Sequence, residues 1–177
     1  STSKTTLPSS THITAVIIGD ATVGKSSLVI SYTTNDFPTD YVPTAFDNYS
    51  VDISVDNRLV HFDICDTGGK VNLHLHRHRH LSCDFVCAHL GAVLFLHSLS
   101  IPFSDVILLC FSVVNPQSFH NATTYWLSRA RRCNNKIPII LVGTQIDRRS
   151  DVKTLLTLDA ERCKPVMEKE ARLRAQQ

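Results

Sequence analysis

The sequence predicts one α/β domain, a mostly parallel sheet with helices on both faces, and three observations carry that prediction. Apolar runs of strand length recur at Ile13–Ile18, Val106–Ser112 and Ile137–Gly143, each reading as a buried strand. Stretches of helical character alternate with them, the arrangement of a doubly wound sheet with its ligand at the carboxyl ends of the strands. The length of 177 residues with 43% hydrophobic content suits a single domain with a proper core.

Taken in order, residues 1–12 are Ser/Thr-rich and read as a short flexible tail. The strand Ile13–Ile18 passes through a loop into a helix whose first turns hold Leu28-Val29-Ile30, and this unit runs to about Thr33. An irregular polar stretch, Asn35–Asp47, leads into Tyr49–Val55, whose alternation signals a half-exposed strand. Asp56-Asn57 is turn chemistry, and Leu59–Cys65 returns as the partner of a hairpin. After the strand Val106–Ser112, Asn115 caps a helix that has Pro116 at its first position and runs through about Arg132. The strand Ile137–Gly143 comes next, and the tail from Asp151 is amphipathic and helical in flavour.

Composition narrows the partners. With 18 basic against 16 acidic residues, charge implies neither nucleic acid nor an acidic membrane; Arg129, Arg131, Arg132 and Arg148-Arg149 read as solvated helix ends. Six cysteines lack a disulfide-type spacing and no secretory signal opens the chain, so a reducing, cytoplasmic setting is expected.

The densest chemistry lies between the first strand and helix. Gly19-Asp20-Ala21-Thr22-Val23-Gly24-Lys25-Ser26, followed by Ser27, is a G-x4-G-K-S pattern. A strand that hands over to a helix through glycines turns several backbone N–H groups inward, a nest for anionic oxygens. Lys25 adds a point charge at the β- and γ-phosphates and the Ser26 hydroxyl can join a Mg2+ shell. The pattern is short enough to occur by chance, but the strand before it and the helix after it are the context it requires. A nucleoside triphosphate or its diphosphate is the implied ligand.

Four further elements come in the order a guanine-nucleotide switch requires. Phe37 precedes Tyr41-Val42-Pro43-Thr44-Ala45-Phe46-Asp47-Asn48-Tyr49. Asp66-Thr67-Gly68-Gly69 ends a strand, where a carboxylate can hold the Mg2+ shell and a glycine N–H can meet the γ-phosphate. In Thr144-Gln145-Ile146-Asp147, the aspartate can accept two hydrogen bonds from guanine N1 and N2, which adenine does not offer in that arrangement.

These residues resemble the Rho family of small GTPases. YTTNDFPTDYVPTAFDNYS (32–50), LLCFSVVNPQSF (108–119) and PIILVGTQID (138–147) are similar to Rho-family sequence, and Asp151–Val166 resembles the family's insert helix and the segment after it. The Thr-Gln-x-Asp form and the Phe-Ser-Val-Val-Asn-Pro phrase are most similar to the atypical Wrch/Chp branch. The resemblance covers about residues 13–69 and 96–177 and implies a P-loop small G domain. It further implies that GTP or GDP is bound by Gly19, Ala21, Thr22, Val23, Gly24, Lys25, Ser26, Ser27, Phe37, Thr44, Gly69, Thr144, Gln145 and Asp147. Ser26, Thr44 and Asp66 would hold Mg2+, and Phe37 would pack on the guanine. Residues Tyr41 to Tyr49 would engage effectors such as kinases or scaffolds, with exchange factors as further partners of a monomeric switch acting on actin and cell shape.

The chain departs from the family in three ways, the first being single residues at the site. Ala21 stands where the family usually has glycine, and its methyl group crowds the γ-phosphate, the attacking water and an incoming arginine finger. Lys70 stands where the family places the glutamine that orients that water; an ammonium only donates hydrogen bonds and cannot take over the task. A partner-supplied arginine contributes about 10^3- to 10^5-fold in related GTPases, so slow or absent hydrolysis is expected and no catalytic residue is assigned. Gln145 replaces a common lysine, leaving guanine selectivity to Asp147.

The second departure is residues 71–95, an atypical insertion in place of switch II, about twenty residues longer than the family uses. His74, His76, His78 and His80 alternate there, followed by Cys83, Cys87 and His89. Metal binding is one reading of the tract, although the spacing matches no fixed structural zinc site. Phe85–Leu96 is apolar but shorter than the roughly twenty residues of a membrane span. A third reading is translated non-coding sequence within 71–104, since Val71-Asn72 and Phe103-Ser104-Asp105 are encodable by GTA-AAT and TTT-TCA-GAT, the look of intron borders. The third departure is the end. Pro165–Gln177 has neither the family's last strand, its guanine-covering Ser-Ala-x loop and closing helix, nor a terminal cysteine for a lipid anchor. An exposed sheet edge and a weaker nucleotide site are the expectation, and a hydrolytically dead or non-functional binding module is the alternative to a working switch.

Overall fold

A parallel sheet buries both faces of its central strands, and the apolar run Ala15-Val16-Ile17-Ile18 is buried throughout. The computed structural model of the chain describes residues 11–38, 47–67 and 100–176. Its strands are β1 (Thr11–Ile18), β2 (Asp47–Val55), β3 (Arg58–Asp66), β4 (Val106–Ser112) and β5 (Ile139–Thr144). They form one sheet in the order β2-β3-β1-β4-β5. Only β2 runs antiparallel to its neighbour, so the expected mixed, mostly parallel sheet is what the chain forms.

The helices are α1 (Lys25–Thr34), α2 (Pro116–Asn121), α3 (Leu127–Cys133), α4 (Val152–Ala160) and α5 (Glu168–Ala175), with a π turn, Ala122–Trp126, joining α2 to α3. They lie on both sides. Alternate side chains of β1 and β4 enter two cores: Ile17 and Cys110 pack with Val29 of α1, while Val16, Ile18, Ile107, Leu109 and Phe111 pack with Phe119, Trp126 and Ala130. Among the described residues no helix is long and apolar enough to cross a membrane.

Local chemistry explains the joints. Asp56 and Asn57 both have positive φ, 49° and 60°, as a two-residue type I′ hairpin loop demands between Val55 and Arg58. The Asn115 side chain accepts from the Ser118 N–H at 3.1 Å ahead of Pro116, a capped start in which proline's missing donor is no loss. Asp151 caps α4, its Oδ2 accepting from the Thr154 N–H at 2.8 Å and from its hydroxyl at 2.6 Å.

Two elements differ from the sequence reading. The helix starting at Pro116 is not regular, because the π turn inserts an extra residue in its middle. The helical tail from Asp151 is two helices. Between them Val166 is buried, donates its N–H to the Val113 carbonyl at 2.8 Å and accepts from Arg149 at 2.7 Å, so packing overrides continuation there.

The α4 cap should titrate. The two Thr154 hydrogen bonds hold the Asp151 carboxyl below the ordinary aspartate range. A depressed folded-state value contributes stability above the unfolded value of about 3.9 that is lost as pH falls through the folded one. Wild type and Asp151→Ala, followed by circular dichroism from pH 7 to pH 2, should therefore differ most near neutrality and converge at the acid end.

Candidate functional site

The carboxyl ends of β1, β3, β4 and β5 arrive at one edge of the sheet, with Ile17 opposite Asp66, Ile18 opposite Leu109 and Ser112 opposite Thr144. The loop from Gly19 to Gly24 leaves this edge. Gly19 has φ +144°, and a Cβ on it would stand 2.2 Å from the Cys110 carbonyl oxygen, so the close approach of loop and β4 admits only glycine. Thr22 is left-handed at φ 63°, and Gly24 at φ 95° is the N-cap of α1. No side chain caps that helix start, leaving its first-turn N–H groups and the positive end of its dipole at the loop.

Lys25 is buried at 4% exposure and folds back into the loop, its Nζ donating to the carbonyls of Gly19 at 3.0 Å and Asp20 at 2.7 Å. Burial pushes its ammonium below the usual lysine range, while the charge of nearby Asp66 works the other way. Burial likewise drives the Cys110 thiol beneath the loop up to about 12, so it packs as a neutral group.

The Ser26 hydroxyl donates to Asp66 Oδ2 at 2.5 Å, joining the first turn of α1 to the end of β3. Asp66 and Thr67 are wholly buried, and the Thr67 hydroxyl donates to the Ile17 carbonyl at 2.8 Å. A hydroxyl and a carboxylate face to face are hard oxygen donors of the kind Mg2+ takes. Among the described residues no group of three or more His, Cys, Asp or Glu could hold a metal ion.

Thr144 and Gln145 tie the end of β5 to the same loop. The Thr144 hydroxyl reaches the carbonyls of Val23 and, at 2.8 Å, Phe111. Gln145, left-handed at φ 57°, donates to the Thr22 carbonyl at 2.9 Å and accepts from the Ser112 hydroxyl at 2.8 Å. Asp147 is exposed on the 3-10 turn Ile146–Ser150, and Phe37 is exposed after α1. Ala21 and Ser27 are half-buried in the loop and the first turn of α1. A cavity of about 560 Å³ borders the loop at Thr22, Val23 and Gln145 and is walled by Arg148, Lys153 and Thr157, but neither Lys25 nor Asp147 lines it.

Of the anticipated effector segment, Asp47 and Asn48 are exposed on β2, and Tyr49 packs against the α1-side core; burial foremost raises its hydroxyl above the usual tyrosine range. Tyr41, Val42, Pro43, Thr44, Ala45, Phe46, Gly69, Lys70 and the His/Cys tract of 74–89 lie outside the described residues. The structure adds residues that the sequence reading did not single out. The Asp20 carboxylate within the loop is bonded by Asn121 and Trp126, at separations of 101 and 106 residues that no local pattern announces.

A phosphate-type loop at the carboxyl edge of a mostly parallel sheet, with α1 behind it, defines a P-loop small G domain. The family model described as Ras family matches residues 14–85 and 94–177, and the chain belongs to that family. The break between the two matched stretches falls within the 71–95 segment. The chain is 43% identical over 147 residues to the Rho-related GTP-binding protein RhoV of Bos taurus, covering 83% of this chain and 54% of that protein. It is 41% identical over 152 residues to RhoV of Rattus norvegicus (86% and 56%) and 42% over 147 residues to RhoV of Homo sapiens (83% and 54%). The resemblance to the Rho family read from the residues is thereby borne out, although the chain spans only a little over half the length of these curated relatives.

The contact of Gly19 with β4 is testable. In Gly19→Ala the new methyl group meets main chain on a side that cannot yield, so loop and strand must part. Overpacking of this kind costs about 1–3 kcal/mol, and a lowered urea unfolding midpoint is the expected result.

Proposed function

We propose that the chain is a Rho-type switch that binds GTP or GDP with Mg2+ and hydrolyses GTP slowly. The observation that carries this reading is the buried Lys25, bonded within its own loop and flanked by the Ser26–Asp66 pair and by Thr144 and Gln145. In this reading the N–H groups of Gly19 to Ser27 cradle the phosphates, and Lys25 exchanges loop carbonyls for phosphate oxygens. Ser26 and Asp66, with Thr44, hold the metal, which when bound neutralises phosphate charge. The Thr144 hydroxyl and the Gln145 amide brace the loop against the base-reading turn, where Asp147 accepts from guanine N1 and N2 and Phe37 covers the base. Gly69 meets the γ-phosphate. Residues Tyr41–Tyr49 engage effectors such as kinases or scaffolds in signalling to the actin cytoskeleton; the name GTP-binding protein borne by the RhoV relatives is consistent with this reading.

A second reading, a nucleotide-loaded module without turnover, is favoured by Ala21 and Lys70, which crowd and fail to orient the attacking water. One set of measurements tests both and separates them: slow but measurable GTP turnover by the wild type supports the switch, and no turnover with GDP still bound supports the module. Titration of the full chain with GDP and with ADP in the presence of Mg2+ should show GDP bound at least about a hundredfold more tightly, the discrimination a site gains when its hydrogen-bonding groups go unpaired on the wrong base. Asp147→Ala should abolish the preference. Single-turnover GTP hydrolysis should be slow in the wild type and accelerate at least about tenfold in Ala21→Gly/Lys70→Gln, which frees the water and restores its acceptor. Absence of GDP binding defeats both readings; wild-type turnover already as fast as that of the double variant defeats the slow-switch and dead-module readings alike.

A further inference from the structure

Asp20 is the charged residue of the loop whose side chain has no part in the nucleotide chemistry just proposed. Its carbonyl accepts from Lys25, but its carboxylate is engaged elsewhere. Oδ1 accepts from Trp126 Nε1 at 2.7 Å and Oδ2 from Asn121 Nδ2 at 2.6 Å, both in the range of charge-assisted hydrogen bonds. Trp126 is completely buried and is the sole tryptophan of the chain. The Asn121 amide is aimed by Gln117, whose Nε2 donates to Asn121 Oδ1 at 2.9 Å and so leaves the NH2 group for Asp20.

Helix geometry decides whether these two donors can meet on one carboxylate. In an α-helix of 3.6 residues per turn, side chains five positions apart diverge by about 140°. A π turn closes i→i+5, so residues five apart come to the same side. The π turn here is Ala122–Trp126, and Asn121 stands immediately before it. The irregularity in the helix therefore has an assignable purpose, which is to bring Asn121 and Trp126 onto Asp20.

Electrostatics gives that grip a consequence. A carboxylate within an anion-binding loop repels the anion the loop is shaped to hold. Two N–H donors from a packed helix fix it and spread its charge. Fixing it also fixes the Asp20 carbonyl, one of the two acceptors of the Lys25 ammonium.

We propose that Asp20 is a positioning residue: clamped by Asn121 and Trp126 across the π turn, it couples the phosphate loop to that helix and sets how long the loop retains a guanine nucleotide. The proposal rests on the guanine-nucleotide reading above and adds a determinant of its release rate. By linkage, loading the loop is felt at Trp126 in return.

The test uses the full chain with Mg2+ and radiolabelled GDP, with thermal melts run alongside. Asn121→Asp sets two carboxylates against each other and should speed GDP release at least about tenfold, the loss of one hydrogen bond to a charged group. Asp20→Asn/Asn121→Asp exchanges donor and acceptor; residue 20 can then donate to residue 121, Gln117 still has an acceptor and Trp126 keeps its own. That pair should bring release back to within about threefold of wild type, a rescue that general loss of structure would not give. Wild-type Trp126 emission should also change as GDP is added. Should Asn121→Asp fail to fold, Trp126→Phe keeps an aromatic ring in the core, removes one donor, and should accelerate release in the same direction. Release at the wild-type rate in the folded single variants, or no recovery in the exchanged pair, overturns the clamp while leaving GDP binding intact. A wild-type chain that takes up no GDP overturns the clamp and the nucleotide reading together.

Discussion

The structure is organised around a buried ammonium. Removing Lys25 from water carries a desolvation cost that only good partners can offset, and two of its three donors find them in the carbonyls of Gly19 and Asp20. For those carbonyls to converge on one nitrogen the loop must curl, which explains the positive φ values at Gly19, Thr22 and Gly24. A loop curled in this way turns N–H groups toward its open side. The lysine thus shapes the loop as well as charging it. The neutral Cys110 beneath it and the carboxylate of Asp66 nearby complete the surroundings of the ammonium.

The sheet decides where that loop sits relative to everything else. β1 is parallel to both of its neighbours, and the register sets Ile17 beside Asp66 and Ile18 beside Leu109, so that strand ends of different sequence distance finish level. Side-chain hydrogen bonds then join those ends: Ser26 to Asp66, Thr67 to Ile17, Thr144 to Phe111 and Gln145 to Thr22. Asp66, Thr67, Thr144 and Gln145 sit at or just past the ends of β3 and β5, and Ser26 sits on the first turn of α1. Apolar packing of β1 and β4 therefore sets the geometry of the polar edge. An error of one residue in register would exchange the two core faces and carry Asp66 away from Ser26.

Much of this was legible in the residues, and the failures have physical causes. β4 spans Val106–Ser112 as read, because a fully apolar run has one way to be buried. β1 starts at Thr11, earlier than its apolar run, since Thr11 and His12 are carried into the ladder opposite Val60 and His61. β5 begins at Ile139, two residues late: Pro138 has no N–H to give, although its carbonyl accepts from Ile107 at 2.9 Å and Ile137 is buried without being strand. The π turn has no signal in the local sequence, and the contacts made at its two ends reach Asp20, about a hundred residues away. At the site, the consecutive pattern from Gly19 to Ser27 announced its chemistry because the backbone alone brings those groups together. The Asp20 carboxylate did not, since its donors come from a helix a hundred residues further on.

This division of labour bears on why retention and turnover of nucleotide should separate in this chain. The groups proposed to bind are built into strand ends and the first turn of α1, and several of their hydrogen bonds also hold the sheet edge together. Altering them disturbs packing. The positions that would govern turnover are of another kind. The hydrogen bonds that hold the loop run through main-chain carbonyls and through the side chains of Asp20, Lys25, Ser26, Asn121, Trp126, Thr144 and Gln145, and none passes through the methyl group of Ala21. Lys70 follows in the sequence four residues after Asp66, the last residue of β3. On the function proposed above, substitution at Ala21 would change the approach to the γ-phosphate while leaving the hydrogen bonds of the buried lysine as they are. A fold of this design can lose the geometry of water attack and still keep the cradle.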